Sequence, residues 1–131
     1  MPSVQIQIRR SIAVEEELAI MEAVHASLRE AFKIPAEDRN VRLLAHEPHR
    51  FACPPHLARP ERFTLIEIDG FLGRSLDAKR SLYAKIVEKL SKLDIPKDHA
   101  IIVLREIPTE NWGIRGGVAA CDLDLGFKIN V

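Results

Sequence analysis

Cysteine is scarce: Cys53 and Cys121 are the two in 131 residues. Two are too few for a disulfide scaffold, and their separation matches no zinc-ligand spacing. Both are therefore read as free thiols, as in a reducing compartment. Aromatic residues make up 5% of the chain, with one Trp and one Tyr. An excess of either charge is absent too. Lys+Arg and Asp+Glu are both 19, for a formal net charge of zero. That balance lacks the basic surplus of a nucleic-acid binder. It also gives little self-repulsion, which suits a chain that assembles with copies of itself. Long apolar runs are missing as well. Ala100 to Leu104 is far too short to span a bilayer, and residues 1–10 hold no signal-peptide core. The expectation is a cytoplasmic protein without nucleic-acid or membrane partners. His46, His49, His56 and His99 show no ligand spacing with the cysteines, so no metal is expected.

What is present is enough apolar residue, 47%, for one core, and a length that suits one domain over 1–131. Val4, Ile6 and Ile8 alternate with Gln5 and Gln7, so Ser3 to Ile8 reads as a strand with one buried face. From Val14 to Phe32 the period changes. Leu18, Met21, Val24 or His25, Leu28 and Phe32 recur at helical steps, with Ser11 as the N-cap and Glu15, Glu16 and Glu17 near the positive end. Pro35 stops the helix, and Asn40 to Ala45 is a second strand. His46 to Pro60 carries four prolines and reads as the main loop.

The pattern then repeats. Phe63 to Ile68 is strand-like, and Ser75 to Leu93 is a helix with Leu82, Ile86, Leu90 and Leu93 inward. Pro96 follows Ile95 as Pro35 follows Ile34, and Ala100 to Leu104 is another strand. The period is about sixty residues, giving repeats over roughly 2–60 and 61–131. Two β-α-β units predict an α+β fold: one four-stranded sheet with both helices on one face. The uncovered face must meet water or another subunit. The glycine-rich tail, 113–131, predicts a loop and a small hairpin that reaches toward a neighbouring subunit.

A doubled β-α-β unit that opens Met1-Pro2 resembles the tautomerase superfamily. Further residues carry the likeness. Asn111-Trp112-Gly113-Ile114-Arg115-Gly116-Gly117 looks like the C-terminal loop of its longer members. Gly73-Arg74-Ser75 looks like the substrate-binding arginine turn. Pro35-Ala36-Glu37-Asp38-Arg39 and Ala23-Val24-His25-Ala26 are similar to segments of malonate semialdehyde decarboxylase and its relatives. Leu72 departs from that branch, which has an arginine there, the first of a pair whose second is matched by Arg74. The branch's Trp-Ser-Phe-Gly is replaced by Trp112-Gly113-Ile114-Arg115.

The resemblance implies a homotrimer and a cofactor-independent enzyme acting on a small carboxylate. Removal of Met1 would leave Pro2 as a terminal secondary amine. A free α-amino group titrates at about 7.7–8.0, and an apolar pocket with a nearby guanidinium lowers that value toward the working pH of a base. Arg74 would grip the carboxylate and stabilise an enolate. Asp38 is read either as the group that orients water, as in the decarboxylase relatives, or as a turn residue. Trp112 either walls the pocket or simply packs, with Phe71 and Phe127 as further apolar walls. His25 is read as a structural, partly buried histidine. Arg115 is a second anion contact or a tail bridge. Three activities follow: keto-enol tautomerisation of a 2-oxo or enol carboxylate, decarboxylation or hydration of a three-carbon oxo acid, or an inactive scaffold.

Overall fold

Alternation and pairing build the sheet first. In the computed structural model, which describes residues 2–131, β1 (Ser3–Ile8) buries Val4, Ile6 and Ile8 and leaves Gln5 and Gln7 half-exposed. Met1, and with it the expected processing of the amino terminus, lies outside the described residues. Strand β2 (Val41–Ala45) runs parallel to β1, with Val4 opposite Val41 and Ile8 opposite Ala45. Strand β3 (Thr64–Phe71) is antiparallel to β1, placing Ser3 opposite Asp69. Strand β4 (Ala100–Ile107) is parallel to β3. The sheet order is β2-β1-β3-β4. Each parallel pair is joined through a helix, and the antiparallel β1–β3 contact joins the two halves. This is the predicted doubled β-α-β unit.

Helices α1 (Val14–Phe32) and α2 (Leu76–Ser91) pack against each other and against the sheet. Their buried stripes, including Ile20, Val24, Leu28, Phe32, Leu82, Ile86 and Leu90, close over Val4, Ile6, Ile66 and Ile68. Leu18, expected inward, is 59% exposed. Ile20, two residues on and on the opposite side of the helix, takes its place in the core. The N-cap of α1 is Ala13 with no side-chain cap, not Ser11, so the helix entry rests on backbone geometry and the acidic first turn. Ser75 does cap α2, its hydroxyl accepting from Ala78 N at 3.1 Å. Leu93 lies just beyond α2 and packs partly buried against the core.

Both β3 and β4 run three residues further than their apolar patterns suggest, since ladder partners extend them: Phe71 pairs with Ile107. The proline-rich loop contains two short 3-10 turns, Pro48–Arg50 and Pro60–Arg62. One arginine organises it. Arg9 donates to the carbonyls of Phe51, Pro60 and Pro48 at 2.6, 2.9 and 3.1 Å. Cys53 and Cys121 are free thiols. The tail forms the expected hairpin, β5 (Gly113–Ile114) with β6 (Val118–Ala119). The last residues fold back on their own chain, where Val131 O accepts from Ser75 N at 2.9 Å.

Candidate active site

Topology alone assigns the candidate residues to one end of the sheet. β1 and β2 begin at the end where β3 and β4 finish. Pro2 therefore lies beside the close of β3, next to the Ser3–Asp69 pair. Helix α1 ends at that side and α2 starts there, because each crosses back over the sheet. The turn bearing Asp38 returns to the same end, where Asn40 O accepts from Val4 N at 2.9 Å. The segment bearing Trp112 leaves β4 there as well. Pro2 is buried, in the alternation position shared by Val4 and Ile6, on the helix side of the sheet.

Arg74 stands in the turn between β3 and α2 and is 7% exposed. Its Nη1 donates to Phe71 O at 3.1 Å, and its guanidinium carbon sits 4.8 Å from the centre of the Phe32 ring. Nε and Nη2 are buried and have no hydrogen-bond partner among the described residues. Burial presses the guanidinium below its usual pKa range, and the nearby Glu106 carboxylate opposes that shift. Arg62 is equally buried, but its Nε and Nη2 are both employed, donating to the carbonyls of Asp94 and Leu93, each at 2.8 Å, behind the end of α2. Arg74 thus has two buried donor nitrogens, Nε and Nη2, left without a partner among the described residues; two such donors on one planar fork can pair with a carboxylate.

The turn itself is held from three sides. Leu72 N donates to Ile107 O at 3.1 Å, Gly73 N to Glu106 Oε2 at 3.4 Å, and Ser75 N to Val131 O at 2.9 Å. Gly73 has φ of +135°, and a Cβ there would lie 2.6 Å from Asn130 Oδ1. Only glycine fits this passage. Glu106 also pairs with Lys79 of α2. That ion pair holds the Glu106 carboxyl below its ordinary value, burial opposing, with Gly73 N–H and the Arg74 charge adding to the lowering.

The aromatic walls divide. Phe71, 1% exposed, meets Trp112 edge-on, with centroids 5.1 Å apart at 77°. Trp112 is half-buried, and its Nε1 donates to Ile107 O at 3.4 Å. Phe127 packs half-buried against the main core. Asp38 is half-exposed in a turn whose backbone closes from Asp38 N to Pro35 O at 3.1 Å. His25 is 1% exposed, and its Nε2 lies 3.0 Å from Ala36 O, so that nitrogen carries the proton and fastens the turn to α1. Arg115 is exposed with φ of +51°, and its guanidinium donates to Asp124 O at 3.0 Å and Leu125 O at 3.5 Å. Within the chain it therefore braces the tail. Leu72, where the decarboxylase branch has arginine, is 55% exposed.

Sequence reading missed Phe32 as the ring beneath Arg74, and Glu106 with Lys79 as the pair behind the turn. The last two had a legible signal. Glu106 continues the helix-facing alternation of Ala100, Ile102 and Leu104, and Lys79 precedes Leu82 and Ile86 on the inward stripe of α2. A charge at a core-facing position in each of two elements points to a pair.

A four-stranded mixed sheet of tandem β-α-β units, with the beginning of β1 beside an arginine turn, defines the class of two-repeat tautomerase folds. The family model described as Tautomerase enzyme matches residues 38–115, more than half of the sequence, and the chain belongs to that family. Probable tautomerase YusQ of Bacillus subtilis (strain 168) is 28% identical over 123 residues, spanning 91% of this chain and 97% of that one. The crystal structure of FG41 malonate semialdehyde decarboxylase inhibited by 3-bromopropiolate matches with a TM-score of 0.80 at 27% identity, covering 89% of this chain and 92% of that one. Native fused 4-OT shares the fold at a TM-score of 0.82 and 19% identity, covering 92% and 98%.

Proposed function

We propose that the chain is a cofactor-independent tautomerase that moves a proton between carbon and oxygen of a small 2-oxo or enol carboxylate. The observation that carries this reading is Arg74, buried with two donor nitrogens that have no partner among the described residues, at the end of the sheet where Pro2 lies. Arg74 takes the substrate carboxylate. Pro2, once Met1 is removed, is a secondary amine whose ring fixes the direction of the lone pair. It withdraws a proton from one atom and returns it to another, and the guanidinium stabilises the charge that collects on oxygen. Trp112 and Phe71 keep the site dry, with Phe127 as a further wall. If Met1 stays, the Pro2 nitrogen is a tertiary amide and no base, which is the scaffold alternative. The homotrimer belongs to the same proposal, supported by the fold shared with fused 4-OT structures described as trimers.

Ketonisation of a small enol carboxylate, followed by absorbance on protein lacking Met1, tests this. Pro2→Ala and Arg74→Ala are each expected to lower kcat/KM by about 100-fold or more, from loss of the base and of the anion clamp. Equal rates for all three proteins would remove the mechanism.

A second reading has a specific observation in its favour, the likeness to a malonate semialdehyde decarboxylase at 27% identity. In that version Pro2 acts protonated, Asp38 orients water, and Arg115 would have to leave its tail carbonyls to supply the cation that Leu72 does not. Acetaldehyde release from malonate semialdehyde would support it, and none would sink it.

A further inference from the structure

Arg74 has an acidic neighbour that does not bind it. Glu106, 23% exposed in its side chain, is close enough to Arg74 for the two charges to act on each other, yet Arg74 Nε and Nη2 have no partner among the described residues. In a buried setting, an open guanidinium and an open carboxylate should close on each other. The structure shows what holds them apart. Glu106 Oε1 takes Lys79 Nζ, and Oε2 faces Gly73 N. Both carboxylate oxygens are thus engaged, one by the Lys79 ammonium and one by the backbone of the turn that carries Arg74. Lys79 lies near the first turn of α2, on the same stripe as Leu82 and Ile86, which brings its ammonium to Glu106.

We propose that Lys79 is a positioning residue that keeps Glu106 from quenching Arg74. It holds the carboxylate in an ion pair, so that the guanidinium stays open for a substrate anion. The inference rests on the reading of Arg74 as the carboxylate clamp. It also explains why a partly buried acid is tolerated beside an anion site: Lys79 and Glu106 cancel, and the net local charge remains that of Arg74. Without Lys79, Glu106 would rotate onto Nε or Nη2 and occupy the place of the substrate. Glu106 has a second role, since its contact to Gly73 N helps set the turn that aims Arg74.

The test uses the full chain with Lys79→Met, Lys79→Arg, Glu106→Gln and the double variant Lys79→Met/Glu106→Gln. Binding of 2-oxobutanoate is followed through the fluorescence of Trp112, the single tryptophan, and ligand-free crystal structures are determined. Lys79→Met is expected to weaken binding about tenfold or more, with Lys79→Arg close to wild type. The double variant should regain most of the loss, because an amide at 106 does not compete as a carboxylate does. A merely structural lysine would give no such recovery. The crystal structure of Lys79→Met should show the Glu106 carboxylate hydrogen-bonded to Arg74. Finding it still turned to Gly73, or a double variant as weak as the single one, would overturn the inference. Wild type that ignores 2-oxobutanoate would count against Arg74 as a carboxylate clamp, while the crystal structures would still decide what Lys79 does to Glu106.

Discussion

Arg62 and Arg74 are both buried, yet they differ in how their donors are used. Arg62 meets two carbonyl groups near the end of α2. Arg74 has one bond to Phe71 O and a ring beneath it, and its Nε and Nη2 have no partner among the described residues. Dehydrating a charge without full compensation costs stability, and such groups gather at functional sites. Opposite outcomes are therefore expected from the same substitution. Arg74→Met should be neutral or stabilising by about 1 kcal/mol, raising Tm by roughly 3–5 °C, while abolishing carboxylate binding. Arg62→Met should lower stability by about 1–3 kcal/mol, since two part-buried hydrogen bonds to the carbonyls of Leu93 and Asp94 are lost. Calorimetry of the two variants checks both. A large loss of stability in Arg74→Met would show that the side chain is structural.

Individual residues were unevenly legible in the sequence. Pro2, Arg74, Phe71 and Trp112 sit in local motifs, and the fold brings them to one end. Glu106 and Lys79 belong to no contiguous motif, and their pairing depends on the β4-to-α2 geometry across the turn. His25 of α1 is tied through Ala36 O to the turn that also carries Asp38, a link between residues eleven apart that no local motif announces.

At the scale of elements, the turn from β3 to α2 concentrates the constraints. The tail closes over Gly73, and β4 supplies Glu106. Gly73→Ala meets both the positive φ and the Asn130 side chain, so it should cost about 1–3 kcal/mol and displace Arg74. Chemical denaturation and carboxylate binding should fall together. A variant as stable as wild type would contradict the close approach.

The Lys79–Glu106 pair gives this region a pH signature. The Glu106 carboxyl is held below its ordinary value of 4.5 in the folded chain. Its contribution is thus fully present above about pH 4.5 and lost as pH falls through the lower folded value. Glu106→Gln should flatten part of the acid limb of the stability curve and leave neutral pH less affected in slope. Denaturation midpoints across pH 2–6 measure this, against the background of the exposed acids Glu30, Glu61, Glu88 and Asp94, which are lowered too. An unchanged acid limb would argue that the pair adds nothing. Element ends were the less readable part of the sequence. The apolar alternation stops at Ile68 and Leu104, but the β3–β4 ladder continues to Phe71 and Ile107, and those added residues border the candidate site.

For the whole molecule, the helices cover one face of the sheet and leave the other open. That face carries Leu44, Ile101 and Val103 at 47%, 43% and 38% exposure beside Arg105, which bonds Asp69 and Glu67. The alternation in β1 announced one covered and one uncovered face, and the repeat announced the doubled unit, so the architecture was readable from periodicity. What covers the open face was not, because assembly leaves no period of its own. If the open face joins copies of the chain, sedimentation should give three times the chain mass, and Ile101→Lys should shift it to monomer. A wild-type monomer at micromolar concentration would contradict the proposed assembly. No helix among the described residues is long and apolar enough to cross a membrane, and no group of three or more potential metal ligands occurs among them.

The proposed chemistry depends on one atom, the Pro2 nitrogen, being free and reactive beside Arg74. Mass spectrometry of the native protein after exposure to 3-bromopropiolate, an electrophilic carboxylate, tests this most directly. The expected result is a chain without Met1, carrying one adduct that peptide mapping locates on Pro2 and that Arg74→Ala suppresses. A native chain that keeps Met1, or an adduct found on Cys53 or Cys121 and not on Pro2, would contradict it.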